Sequence, residues 1–229
     1  MMYGSDFQNR TGGSSFYLAD YIKRRFKNHP TYRTWSIVDT AIMIVAANIA
    51  VFMFWRLPQF TALMHNYFVI SPTSRISSIL CVAFSHKSLI HLSINMYVMM
   101  SFNTALAYMF DKCEYLSFYM SAGMFASLGS ILVRHLKGIR TPSIGASGAV
   151  VAILAYVCFS DVIQSRLSIM GLNLIIPHSL DSKQAILALV IFDTVGLFIK
   201  QSKIDHAAHL SGVLFALYVF LKTTHASFG

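Results

Sequence analysis

The chain has 229 residues, of which 55% are hydrophobic and only 12% charged, and its mean hydropathy is +0.58. A water-soluble domain carries about twice that charged fraction, so composition excludes a soluble enzyme or binding module and indicates a polytopic, all-α membrane protein. The formal charge of +9 does not mark a nucleic-acid partner, because Lys and Arg gather at the ends of apolar runs, as membrane orientation signals do; the lack of short alternating segments excludes a transmembrane β-barrel.

Residues 1–36 are polar, hold no span and end in a basic stretch with Lys23, Arg24, Arg25, Lys27 and Arg33, which reads as an anchor at an anionic lipid face; part of an organelle-targeting segment is the alternative, weakened by Asp6, Asp20 and the lack of a clear basic amphipathic helix. Six spans are predicted within one domain, residues 37–222. They are Ile37–Trp55, Ser88–Phe110, Tyr115–Val133, Ser143–Ser160, Gln184–Ile199 and His206–Leu221. Residues 223–229 form a short tail. Ile76–Phe84 and Leu167–Ile176 are apolar but too short to cross, and read as interfacial or re-entrant pieces. Asp111-Lys112-Cys113-Glu114 reads as a tight polar turn. Six spans place both termini on one face, and the basic excess before the first span puts that face on the positive side. Cys81, Cys113 and Cys158 show neither metal spacing nor a disulfide framework.

Antiparallel spans alternate in direction, so the second, fourth and sixth begin at the same face. His91, Ser147 and His209 each lie in the first turns of one of them, roughly 5–10 Å along the helix and within reach of water from one side. His91 and Asn95, spaced i, i+4, share a helix face, and intramembrane histidines are costly unless they face a polar interior. His86 lies nearly half a turn off that face and braces a loop. Gly148 with Ala152, and Ala208 with Gly212 and Ala216, form small-residue ridges that allow close helix contact. Each residue also has a purely structural reading. Ser147 fits helix packing, His91 and Asn95 fit interhelical hydrogen bonds, and Asp193 fits either a proton relay or a buried pair. His206 and His209 with Asp205 also admit a metal site, but no HExxH pattern or cysteine pair supports one, and no metal or other cofactor is expected.

Taken together, His86-(x4)-His91-(x3)-Asn95-Met96, Gly145-Ala146-Ser147-Gly148 and Ala208-His209-(x2)-Gly212 resemble the rhomboid family of intramembrane serine proteases. The order of these motifs and their spans matches from about residue 37 to 221. Asn95-Met96-Tyr97, Pro142 to Ala149, Asp193-Thr194 and Asp205 to Leu210 are similar to a mitochondrial, presenilin-associated branch of that family. That branch carries a further span upstream, and residues 1–36 are too polar to supply it.

The resemblance implies an endopeptidase that cuts single-span membrane proteins inside the lipid bilayer, with the mitochondrial inner membrane as its address. Ser147 is the implied nucleophile and His209 its general base. No carboxylate shares the position a third member needs, so a dyad is expected. His91, Asn95 and the Ser147 backbone N–H are the implied oxyanion donors, supported by His86, Gly145, Gly148 and Gly212. Substrate helices need small or helix-weakening residues near the scissile bond, because a helical backbone must unwind to be attacked. Two other classes fit the same chain: a catalytically silent rhomboid-like scaffold, which would be expected to lack Ser147 or His209, and a proton-coupled transporter with Asp193, His91 and His209 as its relay. Substrate identity and oligomeric state carry no sequence signal.

Overall fold

A computed structural model describes residues 25, 35–71, 73–160, 181–199 and 202–225. Among them the regular structure is helical, as expected, with one isolated antiparallel bridge between Ile70 and Ser143. The helices are α1 (Ile37–Phe54), α2 (Thr61–Tyr67), α3 (Ile76–Cys81), α4 (Leu89–Ala107), α5 (Lys112–Leu136), α6 (Ser147–Ser160), α7 (Ser182–Gly196) and α8 (His206–His225). Short 3-10 turns at Pro58–Phe60 and Val82–Phe84 precede α2 and follow α3.

Local chemistry sets several helix starts. Ser36 with Asp39, Asp111 with Glu114, and Asp181 with Gln184 form capping boxes at α1, α5 and α7, each satisfying backbone N–H groups that have no intrahelical acceptor. The stretch Asp111–Glu114 is therefore the first turn of α5 and not a separate turn between spans. Its second residue, Lys112, also donates to the Trp35 carbonyl at 2.8 Å, pinning the start of α1 beside the start of α5. Ser88 caps α4 through the His91 N–H.

Each of the six expected spans coincides with a helix, but length and composition support fewer crossings. Among the described residues, three helices, α1, α5 and α8, are long and apolar enough to cross a bilayer, or four crossings are made if α3 and α4, bent by 81° at the break between them, act as one. The piece expected to dip at Ile76–Phe84 is that bent arm. The expected interfacial piece Leu167–Ile176 lies outside the described residues. Helix α8 continues beyond the expected end at Leu221 to His225.

The interior combines small, aromatic and aliphatic residues, and many further large aliphatics face outward. Helix α6 is enclosed by its neighbours: Gly148, Ala149, Val150, Ala152, Ile153, Ala155 and Tyr156 are all buried. Tyr156 packs against Phe110, tilted, and Phe118, edge-on, with centroids 4.7 and 5.3 Å apart. Ile94, Leu132, Ile191 and Leu214 are exposed on the outside, as suits helices surrounded by lipid rather than water. Buried polar groups cross-link the bundle. Asn48 of α1 reaches the Tyr119 hydroxyl of α5, which donates to the Ala83 carbonyl at 2.7 Å. The 14 residues of α6 span about 21 Å, less than the ~30 Å hydrocarbon layer, so at least one end of this central helix lies at membrane depth. Irregular backbone is tolerated there because protein, not lipid, surrounds it.

Candidate active site

Ser147 is the first residue of α6 and is half-buried. The strand-like segment before it is fixed at two points. Ser143 exchanges both backbone hydrogen bonds with Ile70, at 2.8 and 2.9 Å. Arg134, in the last turn of α5, donates to the Thr141 carbonyl at 2.5 Å, to the Ser130 hydroxyl at 3.1 Å and to Asp205 at 3.2 Å. Asp205 in turn accepts from the Ser130 hydroxyl and from the Ala208 N–H at 3.1 Å, so it is the N-terminal cap of α8. Burial pushes the Asp205 carboxyl up, but the Ser130 and Ser143 hydroxyls and the Arg134 guanidinium outweigh it and hold the carboxyl below its usual range. One ion pair thus anchors both the segment leading to Ser147 and the helix carrying His209.

Glycine is required at three positions around Ser147. Gly145 has φ +144°, a conformation that L side chains rarely adopt. A β-carbon there would also lie 2.9 Å from His91 Cε1 and 3.6 Å from Ser147 Oγ. That one vacancy brings His91 of α4 beside Ser147. A β-carbon on Gly148 would lie 2.4 Å from that of Ala126 and 3.1 Å from the carbonyl oxygen of Ala208, the residue before His209. A β-carbon on Gly212 would lie 2.2 Å from the Gly148 carbonyl oxygen. The small-residue ridges expected on the fourth and sixth spans therefore meet backbone to backbone, and α8 packs more closely on α6 than on any other helix. The contact sets the start of α6, with Ser147, against the first turns of α8, with His209.

The other expected residues are distributed as follows. His91 is half-buried and lies within electrostatic range of His209. His86 is fully buried in the loop before α4, its ring edge-on to His91 at 5.0 Å, and neither of its ring nitrogens has a hydrogen-bond partner among the described residues. It braces the His91 ring as well as the loop. Asn95 is buried one turn along α4, and its amide donates to the His91 carbonyl at 2.8 Å, which engages one of its two amide hydrogens. Asp205, grouped in sequence with His206 and His209, turns away from both towards Ser130 and Arg134.

The expectation that no carboxylate reaches His209 is overturned. Asp193 of α7 is fully buried, and its two oxygens lie 3.0 and 3.2 Å from His209 Nδ1. The same Oδ1 lies 2.7 Å from His206 Nδ1. The reason is directional: α7 runs opposite to α8, so the last turn of α7 lies at the same face as the first turn of α8. The sequence reading also missed the Arg134–Asp205 pair, whose members are 71 positions apart and which individually look like a span terminus and a loop acid.

The sequence profile of the Rhomboid domain matches residues 73–225. The chain is 35% identical over 181 residues to the mitochondrial presenilin-associated rhomboid-like proteins of Homo sapiens and Bos taurus, a match covering 78% of this chain and 47% of each relative. It is 32% identical over 203 residues to the mitochondrial Rhomboid protein 1 of Saccharomyces cerevisiae, covering 85% of this chain and 55% of that protein. The chain spans about half the length of the curated relatives it matches.

Proposed function

The chain belongs to the rhomboid family, and from that premise we propose that it is an intramembrane serine endopeptidase that cleaves single-span membrane proteins. It is a multi-pass mitochondrial membrane protein, and we place it in the inner membrane. The observation that carries the proposal is the convergence at Gly145 and Gly148. Two missing β-carbons let His91 and the α8 backbone approach Ser147 at the end of a short, protein-enclosed helix.

Ser147 Oγ attacks the scissile carbonyl and passes its proton to His209. The oxyanion forms among preorganised donors in a half-buried site, where they act more strongly than in bulk water. The Ser147 backbone N–H, at the positive end of α6, is one donor, and His91 and Asn95 from α4 supply the others. His209 then protonates the leaving amine, and water hydrolyses the acyl-enzyme by the same route in reverse. His86 supports the His91 ring, and Gly145, Gly148 and Gly212 set the distances.

The test is covalent labelling of the purified full chain with a fluorophosphonate, beside cleavage of a reconstituted single-span substrate. Ser147→Ala is expected to lose both while melting at the wild-type temperature, since alanine packs well at the start of a small-residue helix. Cleavage retained by Ser147→Ala would refute the serine mechanism. A wild-type chain that neither labels nor cleaves, yet binds membrane helices, would leave a silent scaffold in its place.

A further inference from the structure

We propose that Asp193 and His206 together are positioning residues for His209, an inference that rests on the reading of His209 as the general base of Ser147. Asp193 is fully buried in α7, where an unpaired carboxylate is costly. It is surrounded by donors. Its Oδ1 contacts His206 Nδ1 at 2.7 Å and His209 Nδ1 at 3.0 Å, and its Oδ2 contacts His209 Nδ1 at 3.2 Å. An ionised carboxylate only accepts hydrogen bonds, so both histidines carry a proton on Nδ1. In neutral His209 that leaves Nε2 as the bare, basic nitrogen, on the side of the ring away from α7. This is the tautomer needed to take a proton from Ser147.

His206 is held as firmly as Asp193. Its Nε2 pairs with the Ser202 hydroxyl at 2.8 Å, and that hydroxyl accepts the Ile204 N–H at 3.1 Å. Its ring stands edge-on to Phe192 at 5.4 Å. It also occupies the notch left by Gly196, where a β-carbon would fall 2.3 Å from His206 Cε1. Gly196 lies one turn beyond Asp193 on α7, so this helix presents both the carboxylate and the recess for the histidine that shares it.

The sharing has a structural consequence. By donating to the same oxygen, His206 holds the carboxylate between the two rings, so that Asp193 orients His209 from a fixed position. His209 faces Asp193 from α7 and His206 on its own helix, with His91 of α4 within electrostatic range. Arg134 of α5 is engaged by Asp205.

The experiment measures fluorophosphonate labelling of the full chain in detergent or liposomes, across probe concentration, with melting temperature alongside. Wild type labels and Ser147→Ala does not. Asp193→Asn lowers the first-order labelling constant by about 10³–10⁴, because the amide permits the wrong His209 tautomer, and leaves the apparent probe affinity within about twofold. His206→Phe keeps the ring contacts but loses the hydrogen bonds; it slows labelling about tenfold with probe affinity again within about twofold. Gly196→Ala, which expels the His206 ring, slows labelling in the same way. Wild-type labelling in folded Asp193→Asn overturns the proposal. So does a wild-type labelling constant in both His206→Phe and Gly196→Ala, which decides the matter if Asp193→Asn does not fold. A wild type that fails to label, or a labelled Ser147→Ala, overturns the nucleophile reading itself and this inference with it.

Discussion

The closest backbone approach in the site yields a quantitative prediction. In Gly212→Ala the added β-carbon would lie 2.2 Å from the Gly148 carbonyl oxygen, whereas real β-carbon contacts begin near 3.0 Å. The obstructing atom is backbone on both sides, so no side chain can yield, and α6 and α8 must part by about 1 Å. Overpacking of this kind costs about 1–3 kcal/mol. The chemical cost is larger in proportion, because the displacement falls between the helices of Ser147 and His209, where a shift of about 1 Å lowers rate on the order of 10²-fold. The assay is labelling rate and substrate cleavage in reconstituted protein, with melting temperature measured on the same samples. Leu214→Ala, on the exposed side of the same helix, is the control and leaves labelling unchanged. A Gly212→Ala protein that labels and cleaves at the wild-type rate would refute the claim that this contact sets the distance between nucleophile and base.

Further outcomes follow from the same geometry. His209→Ala abolishes cleavage and labelling, and the Ser147→Ala/His209→Ala double variant cleaves no more slowly than either single one, because the two act as a unit; normal labelling in His209→Ala would assign the base to His206. Asn95→Ala lowers kcat by roughly 10–100-fold with little change in KM, as loss of one oxyanion donor among three implies; a lower melting temperature with unchanged kcat would reduce Asn95 to its bond with the His91 carbonyl. The Asp205 carboxyl is held below its usual range, so its contribution to stability is fully present above the ordinary carboxylate range near pH 4 and is lost as pH falls through the lower folded value. Melting temperature followed from pH 7 to pH 3 therefore falls more steeply below about pH 4 in wild type than in Asp205→Asn, and parallel curves would remove the Arg134–Asp205 pair from the stability of the α5–α8 junction.

Much of the fold is legible because membrane helices announce themselves by length and apolarity, and because their starts carry short polar signatures. Ser36-x-x-Asp39 and Asp181-x-x-Gln184 begin α1 and α7 close to where the apolar runs begin. The same signature at Asp111-x-x-Glu114 was indistinguishable from a turn, since a capping box and a tight polar turn use the same residues. Length was the weaker guide. Helices α6 and α7 are apolar in sequence but have only 14 and 15 residues, and nothing in hydropathy alone says that α6 is enclosed by protein and can stop short of a membrane surface.

The candidate site was legible to the extent that alternation of direction could be applied to helix starts. His91, Ser147 and His209 all lie near the beginnings of even-numbered spans, and the vacancies at Gly145, Gly148 and Gly212 bring those beginnings together. The rule extends to the ends of odd-numbered spans, which return to that face. Asp193 lies one turn before the end of α7 at Gly196, and His206 and His209 occupy the first turn of α8, so direction alone places the carboxylate at the depth of both histidines. Direction does not say that it touches them, because α7 could present that turn to lipid. The missing β-carbon of Gly196 decides this: only a bare backbone one turn from Asp193 admits the His206 ring, and with that ring seated the carboxylate lies between the two imidazoles and away from lipid. An alanine at 196 would leave the alternation of the spans untouched and still exclude His206 from the carboxylate, so the dyad expected from sequence acquires its buried acid through the smallest side chain in α7.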